Sequence, residues 1–352
     1  MLEETIANIP NSLNQEAMAA AKDRLANQAR PPGSLGVMEE IGIRLAAIRG
    51  CMDVDLSNKR IVTCAGDHGV VAEGVSAFPA EVTPQMVFNF VDGGASVNVL
   101  GKHAGAKVKV ADIGVNYDFD PDLPIFHKKV RKGTGNFTRE LAMTREEAVA
   151  SIEAGIEIVN ELQAEAPVDL LGTGDMGIGN TTPSSAVIAA FSGIPVDKLT
   201  GRGTGLDDAG LENKIRVIQR GLDLHGPDPT DPIDVLSKVG GLEIGGLAGL
   251  VLGAAAQGIP VICDGLISTA GALIACELAP AAKNYLFASH KSVEIGHKYM
   301  HDRMGLEPLI DLRLRLGEGT GAAVCMEMLD VATRVLADIK TFEEVGVTPS
   351  GD

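Results

Sequence analysis

The sequence predicts an α/β fold: a doubly wound, mostly parallel sheet with a small helical domain built from both chain termini. Three observations carry this. The segments "KRIVTCAGDHGV", "VKVADIGV", "VDLLGTGDMGIGNTTPSSAVIAAF" and "IPVICDGLISTAGALIACEL" repeat one order: a short apolar strand, a Gly-rich turn, then a helix opening. Apolar runs without alternation belong to strands covered on both faces, as in parallel sheets flanked by helices. The chain has 352 residues, 45% of them hydrophobic, enough for a large core and a second, smaller unit. Finally, residues 1–29 and about 300–345 read as helices with polar faces. The latter carries Val324, Met328, Val331, Val335 and Ile339 at helical spacing. The expected division is a large domain over 30–300 and a helical one over 1–29 plus 301–352. Between the strands, "NYDFDPDLPIFHKKVRKGTGNFTRE" reads as a loop, and no repeat period is present.

A formal net charge of −17 argues against nucleic acid or an acidic membrane as a partner, because phosphate backbones demand a basic footprint. The five cysteines are odd in number and widely spaced, which suits free thiols of a reducing compartment. The first twenty residues contain no secretory pattern, so the expected location is cytoplasmic. Residues 244–263 are uncharged but interrupted by glycines and "QGIP", and read as a buried helix, a turn and a strand rather than a membrane span.

Three Gly-rich segments are candidates for anion binding: "GTGDMGIGN", "GRGTG" and "GEGTG". Glycines let main-chain N–H groups converge on a phosphate, especially where a helix begins; the alternative is three tight turns. The dinucleotide pattern is incomplete, since Asp197, the nearest candidate for a ribose-binding acid, follows a run broken by Pro195, and no G-K-[ST] is present. After "GRGTG", Asp207 or Asp208 is placed to cap a helix. Lys214 on its early turns either adds a charge to a bound phosphate or is a solvated surface lysine. In "SHKSVEIGH", Ser292 offers a hydroxyl, while His290 and His297 with Glu294 between them do not match a zinc helix, so no metal is expected.

Asp67 and His68 suggest acid–base chemistry, but neighbours on a strand point to opposite sides, which favours a loop-shaping role. The stretch after them offers Ser76, Phe78, Gln85 and Met86, suited to a flat heteroaromatic ligand or to a helix packing on the core. Glu318, between glycines ahead of a helical run, is either a structural partner of the helix dipole or, with open approach and little packing, a general base.

Taken together, "GVSAFPAEVTPQMV", "MGIGNTTPSSA", "GRGTGLDD", "DGLISTAGALIA", "SHKSVEIGH" and "DLRLRLGEGTGAA" resemble the nicotinate-nucleotide:dimethylbenzimidazole phosphoribosyltransferases of cobalamin biosynthesis, over nearly the whole chain. The resemblance implies a Rossmann-like sheet domain with a small helical domain, and a homodimer whose partner subunit closes the cavity. It implies transfer of 5-phosphoribosyl from nicotinate mononucleotide to a benzimidazole-type base, without metal or organic cofactor. Glu318 is then the general base. Ser76, Phe78, Gln85 and Met176 hold the base, while Gly177, Gly203, Lys214, Ser292 and Arg315 serve the phosphate and ribose. One departure is Asp175, where the family usually has a glutamate; it is retained as a supporting residue of the phosphate and ribose group. Two other readings are a Mg-dependent transferase using phosphoribosyl pyrophosphate, resting on Asp207 and Asp208, and a non-catalytic benzimidazole or nucleotide carrier.

Overall fold

The computed structural model describes residues 1–348. Strands β1 (Lys59–Gly66), β2 (Lys107–Gly114), β3 (Phe126–His127), β4 (Leu170–Met176), β5 (Val261–Cys263), β6 (Leu286–His290) and β7 (Pro308–Ile310) form one sheet. Their order is β3-β2-β1-β4-β5-β6-β7, and every neighbouring pair is parallel. β1 is buried along its whole length, which is why "IVTCA" is continuously apolar or small. The order reverses between β1 and β4, and such a switch point opens a crevice beyond the strands' carboxyl ends.

Each face of the sheet has its own core. On one side lie the helices Arg145–Glu165, Leu242–Ala256 and Leu266–Leu278. On the other lie Val37–Arg49, Val82–Val91, Ser96–His103 and Thr320–Asp338. The glycines of "IGGLAGLVLG" explain the membrane-like stretch. A Cβ on Gly249 would stand 1.9 Å from the Ile152 carbonyl oxygen, so this helix and Arg145–Glu165 pack backbone to backbone inside the protein. Among the described residues no helix is long and apolar enough to cross a membrane.

The chain ends meet on the second face. Gln28 donates from Nε2 to the Val335 carbonyl at 2.7 Å, and Arg24 donates to the Leu336 and Ala337 carbonyls. Helix Leu2–Ala7, however, packs on the opposite face against Arg145–Glu165 and Leu242–Ala256. β7 also pairs with β6, so a boundary at residue 300 would cut the sheet. Residues 349–352, the end of the expected helical domain, lie outside the described residues.

Two readings of the C-terminal region need correction. Between helix Ile295–Met304 and helix Thr320–Asp338 the chain forms β7 and a loop rather than continuing helix. The buried face of Thr320–Asp338 runs through Ala322, Cys325, Met326, Leu329, Ala332 and Leu336, whereas Val331 is 51% exposed and Ile339 lies past the helix. Small side chains let this helix sit close on the sheet: a Cβ at Gly172 of β4 would meet Met326 Cε at 3.0 Å and Ala322 Cβ at 3.2 Å. Of the expected stripe, Met328 and Val335 are half-buried at the edge of this core and Val331 faces outward.

Candidate active site

A cavity of about 410 Å³ opens at the carboxyl ends of β4, β5 and β6. Its wall comes from the residues after β4 (Asp175 to Ile178), after β5 (Gly265 to Ile267), from His290, Ser292 and Glu294, and from Arg315 to Glu318. Phe78, Val82, Met86 and Met176 supply an apolar side. A larger hollow of about 670 Å³, between Asp23, Arg24 and Thr341, lies where the chain ends meet and away from the strand ends.

Glu318 adopts φ 65°, flanked by Gly317 at 90° and Gly319 at 106°. A left-handed non-glycine residue is strained by about 1–2 kcal/mol and persists only where its surroundings fix it. They do so here: the Glu318 N–H donates to the Asp175 carbonyl at 3.2 Å, and Thr63 Oγ1 donates to the Glu318 carbonyl at 2.8 Å. Gly174 permits the close approach, since a Cβ there would stand 2.0 Å from that same carbonyl oxygen. The Glu318 side chain is not the loosely packed group expected. Only 6% of the residue is exposed, and Oε2 accepts the Val97 N–H at 3.1 Å, at the start of helix Ser96–His103. Burial raises its pKa above the usual carboxylate range, against the lowering by the Val97 and Ser96 amides.

The three glycine segments differ from a set of anion turns. In "GTGDMG", Gly172 and Gly174 are residues of β4, and the chain turns only after Met176. In "GEGTG", Gly319 donates its N–H to Asp264 Oδ2 at 3.0 Å, and Gly321 and Ala322 donate to Oδ1 at 2.7 and 3.2 Å. In "GRGTG", Gly203 donates its N–H to Glu294 Oε1 at 2.9 Å. The second and third thus hold carboxylates of the protein itself.

Asp264 forms an acidic group with Asp175 and Glu318. Burial raises Asp264 to about 6 despite its amide bonds. Asp175 is raised well above its usual value, first by burial and then by Asp264; its Oδ2 accepts from Asn180 Nδ2 at 2.9 Å, while Oδ1 has no partner among the described residues. Among the described residues no group of three or more His, Cys, Asp or Glu is arranged to hold a metal.

Lys214 is fully buried, not a surface lysine. Its Nζ donates to Thr181 Oγ1 at 2.6 Å and lies behind Gly203 rather than on the cavity wall, and burial lowers its pKa to about 8. Asp207 caps helix Asp208–His225 by accepting the Gly210 N–H at 2.8 Å, and Asp208 pairs with Arg202 at the surface.

Of the four residues expected around the base, the structure brings Phe78 and Met176 to the cavity. Ser76 instead accepts the Phe78 N–H at 3.2 Å, and Gln85 is exposed on helix Val82–Val91; neither is on the wall. Asp175, Gly177, Gly203, Ser292 and Arg315 all line it. Asp67 shapes a loop, accepting the Asn116 N–H at 2.8 Å, while His68 faces Glu243 at 2.9 Å. Sequence reasoning overlooked Asp264, and it gave no place in the site to Glu294 and His290. "SHKSVEIGH" drew notice for Ser292, for the family resemblance and for the spacing of its histidines, not for His290 or Glu294 as site residues.

Comparison with known proteins bears on the family and the fold. A family model described as "Phosphoribosyltransferase" matches residues 10–347. The nicotinate-nucleotide–dimethylbenzimidazole phosphoribosyltransferase of Geobacter sp. (strain M21) is 57% identical over 348 residues, covering 99% of each chain. The protein of that name from Chloroflexus aggregans is 53% identical, covering 99% of this chain and 98% of its own. The crystal structure of the Thermus thermophilus enzyme of that name superposes with a TM-score of 0.91 at 42% identity, covering 96% of this chain and all of its own. With the cavity at the switch point and this similarity along its full length, the chain is a transferase that belongs to the nicotinate-nucleotide–dimethylbenzimidazole phosphoribosyltransferase family.

Proposed function

We propose that this phosphoribosyltransferase moves the 5-phosphoribosyl group of nicotinate mononucleotide to a ring nitrogen of 5,6-dimethylbenzimidazole or a related flat base, releasing nicotinate. The observation that carries this reading is Glu318: a strained, buried carboxylate of raised pKa in a cavity with an apolar side. The base lies between Phe78 and Met176 with its N–H donated to Glu318. Its other nitrogen attacks the anomeric carbon as the bond to nicotinate breaks, and the N–H proton passes to Glu318. Attack opposite the leaving group inverts that carbon and gives α-ribazole 5'-phosphate. Holding both reactants in line supplies much of the acceleration, and general-base removal of the proton adds about 10²–10⁴-fold.

The phosphate is assigned to the Gly177 and Gly203 side, with the buried Lys214 charge behind it and Ser292 and Arg315 beside it. Asp175 is shorter than the glutamate usual in the family, so its free Oδ1 reaches the substrate through water or a shifted pose. The same reading includes a homodimer, with the partner covering the exposed Phe78 and Leu316 at the rim.

The test is to incubate the protein with nicotinate mononucleotide and a mixture of benzimidazoles and purines and to identify products by mass. The expected products are free nicotinate and an α-riboside phosphate. Failure to release nicotinate, or use of phosphoribosyl pyrophosphate with Mg²⁺ in its place, would overturn the reading.

A further inference from the structure

The wall of the cavity carries buried polar atoms without a hydrogen-bond partner among the described residues: Asp175 Oδ1, His290 Nε2 and Glu294 Oε2. Buried polar groups left unpaired in a folded protein ask for an explanation, and a ligand group is one. His290 is the most informative of the three, because its surroundings determine which ring nitrogen carries the proton.

The ring sits at the end of β6 with 2% of its side chain exposed. It fits against the start of helix Thr320–Asp338 because residue 321 is glycine: a Cβ there would stand 2.1 Å from His290 Nδ1. Nδ1 lies 2.8 Å from Ser289 Oγ, and Ser289 Oγ donates its own hydrogen to the Asp264 carbonyl at 3.3 Å. A hydroxyl has one hydrogen, so Ser289 offers the ring a lone pair and Nδ1 carries the proton. The Asp264 carboxylate, 3.8 Å from Nδ1, favours the same tautomer. Burial lowers the imidazole to about 4, so the ring is neutral near pH 7. Nε2 is therefore a bare lone pair. A Cβ at Gly265 on the cavity wall would lie 3.8 Å from it.

A ligand that reaches this lone pair must bring a hydrogen-bond donor. On the proposed reaction the phosphate and the nicotinate carboxylate bring acceptors, and the N–H of the base is taken by Glu318. The ribose hydroxyls are the donors that remain. His290 also stands between the two ends of the reaction, tied to the Glu318 loop through Asp264 and two residues before Ser292.

We propose that His290 is a substrate-binding residue whose Nε2 accepts a hydrogen bond from a ribose hydroxyl of the phosphoribosyl donor, making the enzyme selective for ribosyl over deoxyribosyl substrates. This rests on the functional reading above. A site built around a hydrogen bond rejects the analogue lacking it strongly, because its own buried group is then left unpaired.

The test compares kcat/KM for nicotinate mononucleotide with its 2'-deoxy and 3'-deoxy analogues, in the full chain and in two variants. The wild type is expected to disfavour one analogue by about 100-fold, the effect of leaving one buried acceptor unpaired. His290→Phe removes the lone pair, and Gly265→Ala covers it with a methyl group while leaving the ring in place. Both are expected to cut that preference to within about threefold and to leave the preference over the other analogue unchanged. Should His290→Phe fail to fold, Gly265→Ala and ¹⁵N-histidine spectra of the wild type still decide. The unprotonated-nitrogen signal of His290 is expected to shift when nicotinate mononucleotide is added. The assignment to His290 is overturned by a wild type indifferent to both hydroxyls, by variants that keep its preference, or by a signal that does not move. A wild type that releases no nicotinate from the ribosyl compound refutes the functional reading itself.

Discussion

The Asp264 carboxylate accepts the main-chain N–H of Gly321 at 2.7 Å, and the Gly319 and Ala322 amides bind the same group. A loop whose sequence suggests a phosphate cradle is thus filled by a carboxylate from the end of β5. Its amides are spent on Asp264, and the Glu318 carboxylate is directed elsewhere, to the amides at the start of helix Ser96–His103. One glycine-rich turn accordingly supports one acid and aims another.

Asp264 is therefore expected to be structural. Asp264→Ala leaves three buried amides unpaired and should lower the free energy of unfolding by about 2–4 kcal/mol, read by urea denaturation. Turnover should fall with it, because the loop that carries Glu318 loses its anchor. A variant as stable as the parent would show that the amides find other partners.

Lys214 is expected to act on the phosphate from behind the wall. Lys214→Met should raise KM for nicotinate mononucleotide by about tenfold, the loss of one charge-assisted contact, with a smaller effect on the dephosphorylated nucleoside. Its pKa is lowered to about 8 by burial, so the ammonium is present below that pH and lost above it. Phosphate affinity should weaken as pH rises through about 8, and this limb should be absent from the methionine variant.

The acid side of the pH profile should report Glu318. A general base acts only when ionised, and burial holds this carboxyl above the 4.5 of an ordinary glutamate. kcat/KM should therefore fall as pH drops through a value higher than 4.5. Because Asp264 acts on both Asp175 and Glu318, the apparent value belongs to the group rather than to one residue. A rate flat down to pH 4.5 would contradict the assignment.

Much of the fold was legible because β1, β2, β4 and β5 are apolar segments followed by a turn or a helix opening. β3, β6 and β7 were not: β3 is two residues inside a stretch rich in Pro and Asp, β7 begins at Pro308, and β6 ends in Ser289 and His290 rather than in an apolar run followed by a glycine turn. The inward face of Thr320–Asp338 was misread because close packing on the sheet selects Ala322 and Ala332 over the branched valines. In the site, Glu318, Asp175, Phe78 and Met176 could be read from motifs. The pairings of "GEGTG" with Asp264 and of "GRGTG" with Glu294 join residues far apart in the chain, and no local spacing encodes them. The exposure of Gln85 and the burial of Lys214 likewise follow from how their helices are turned toward the core.

Single turnover of Glu318→Gln with nicotinate mononucleotide and dimethylbenzimidazole tests the central claim most directly. The amide keeps nearly the same shape but cannot take a proton. The rate of nicotinate release should fall by about 100-fold or more, while both substrates bind with nearly unchanged affinity. A variant that turns over at the parent rate would contradict the account.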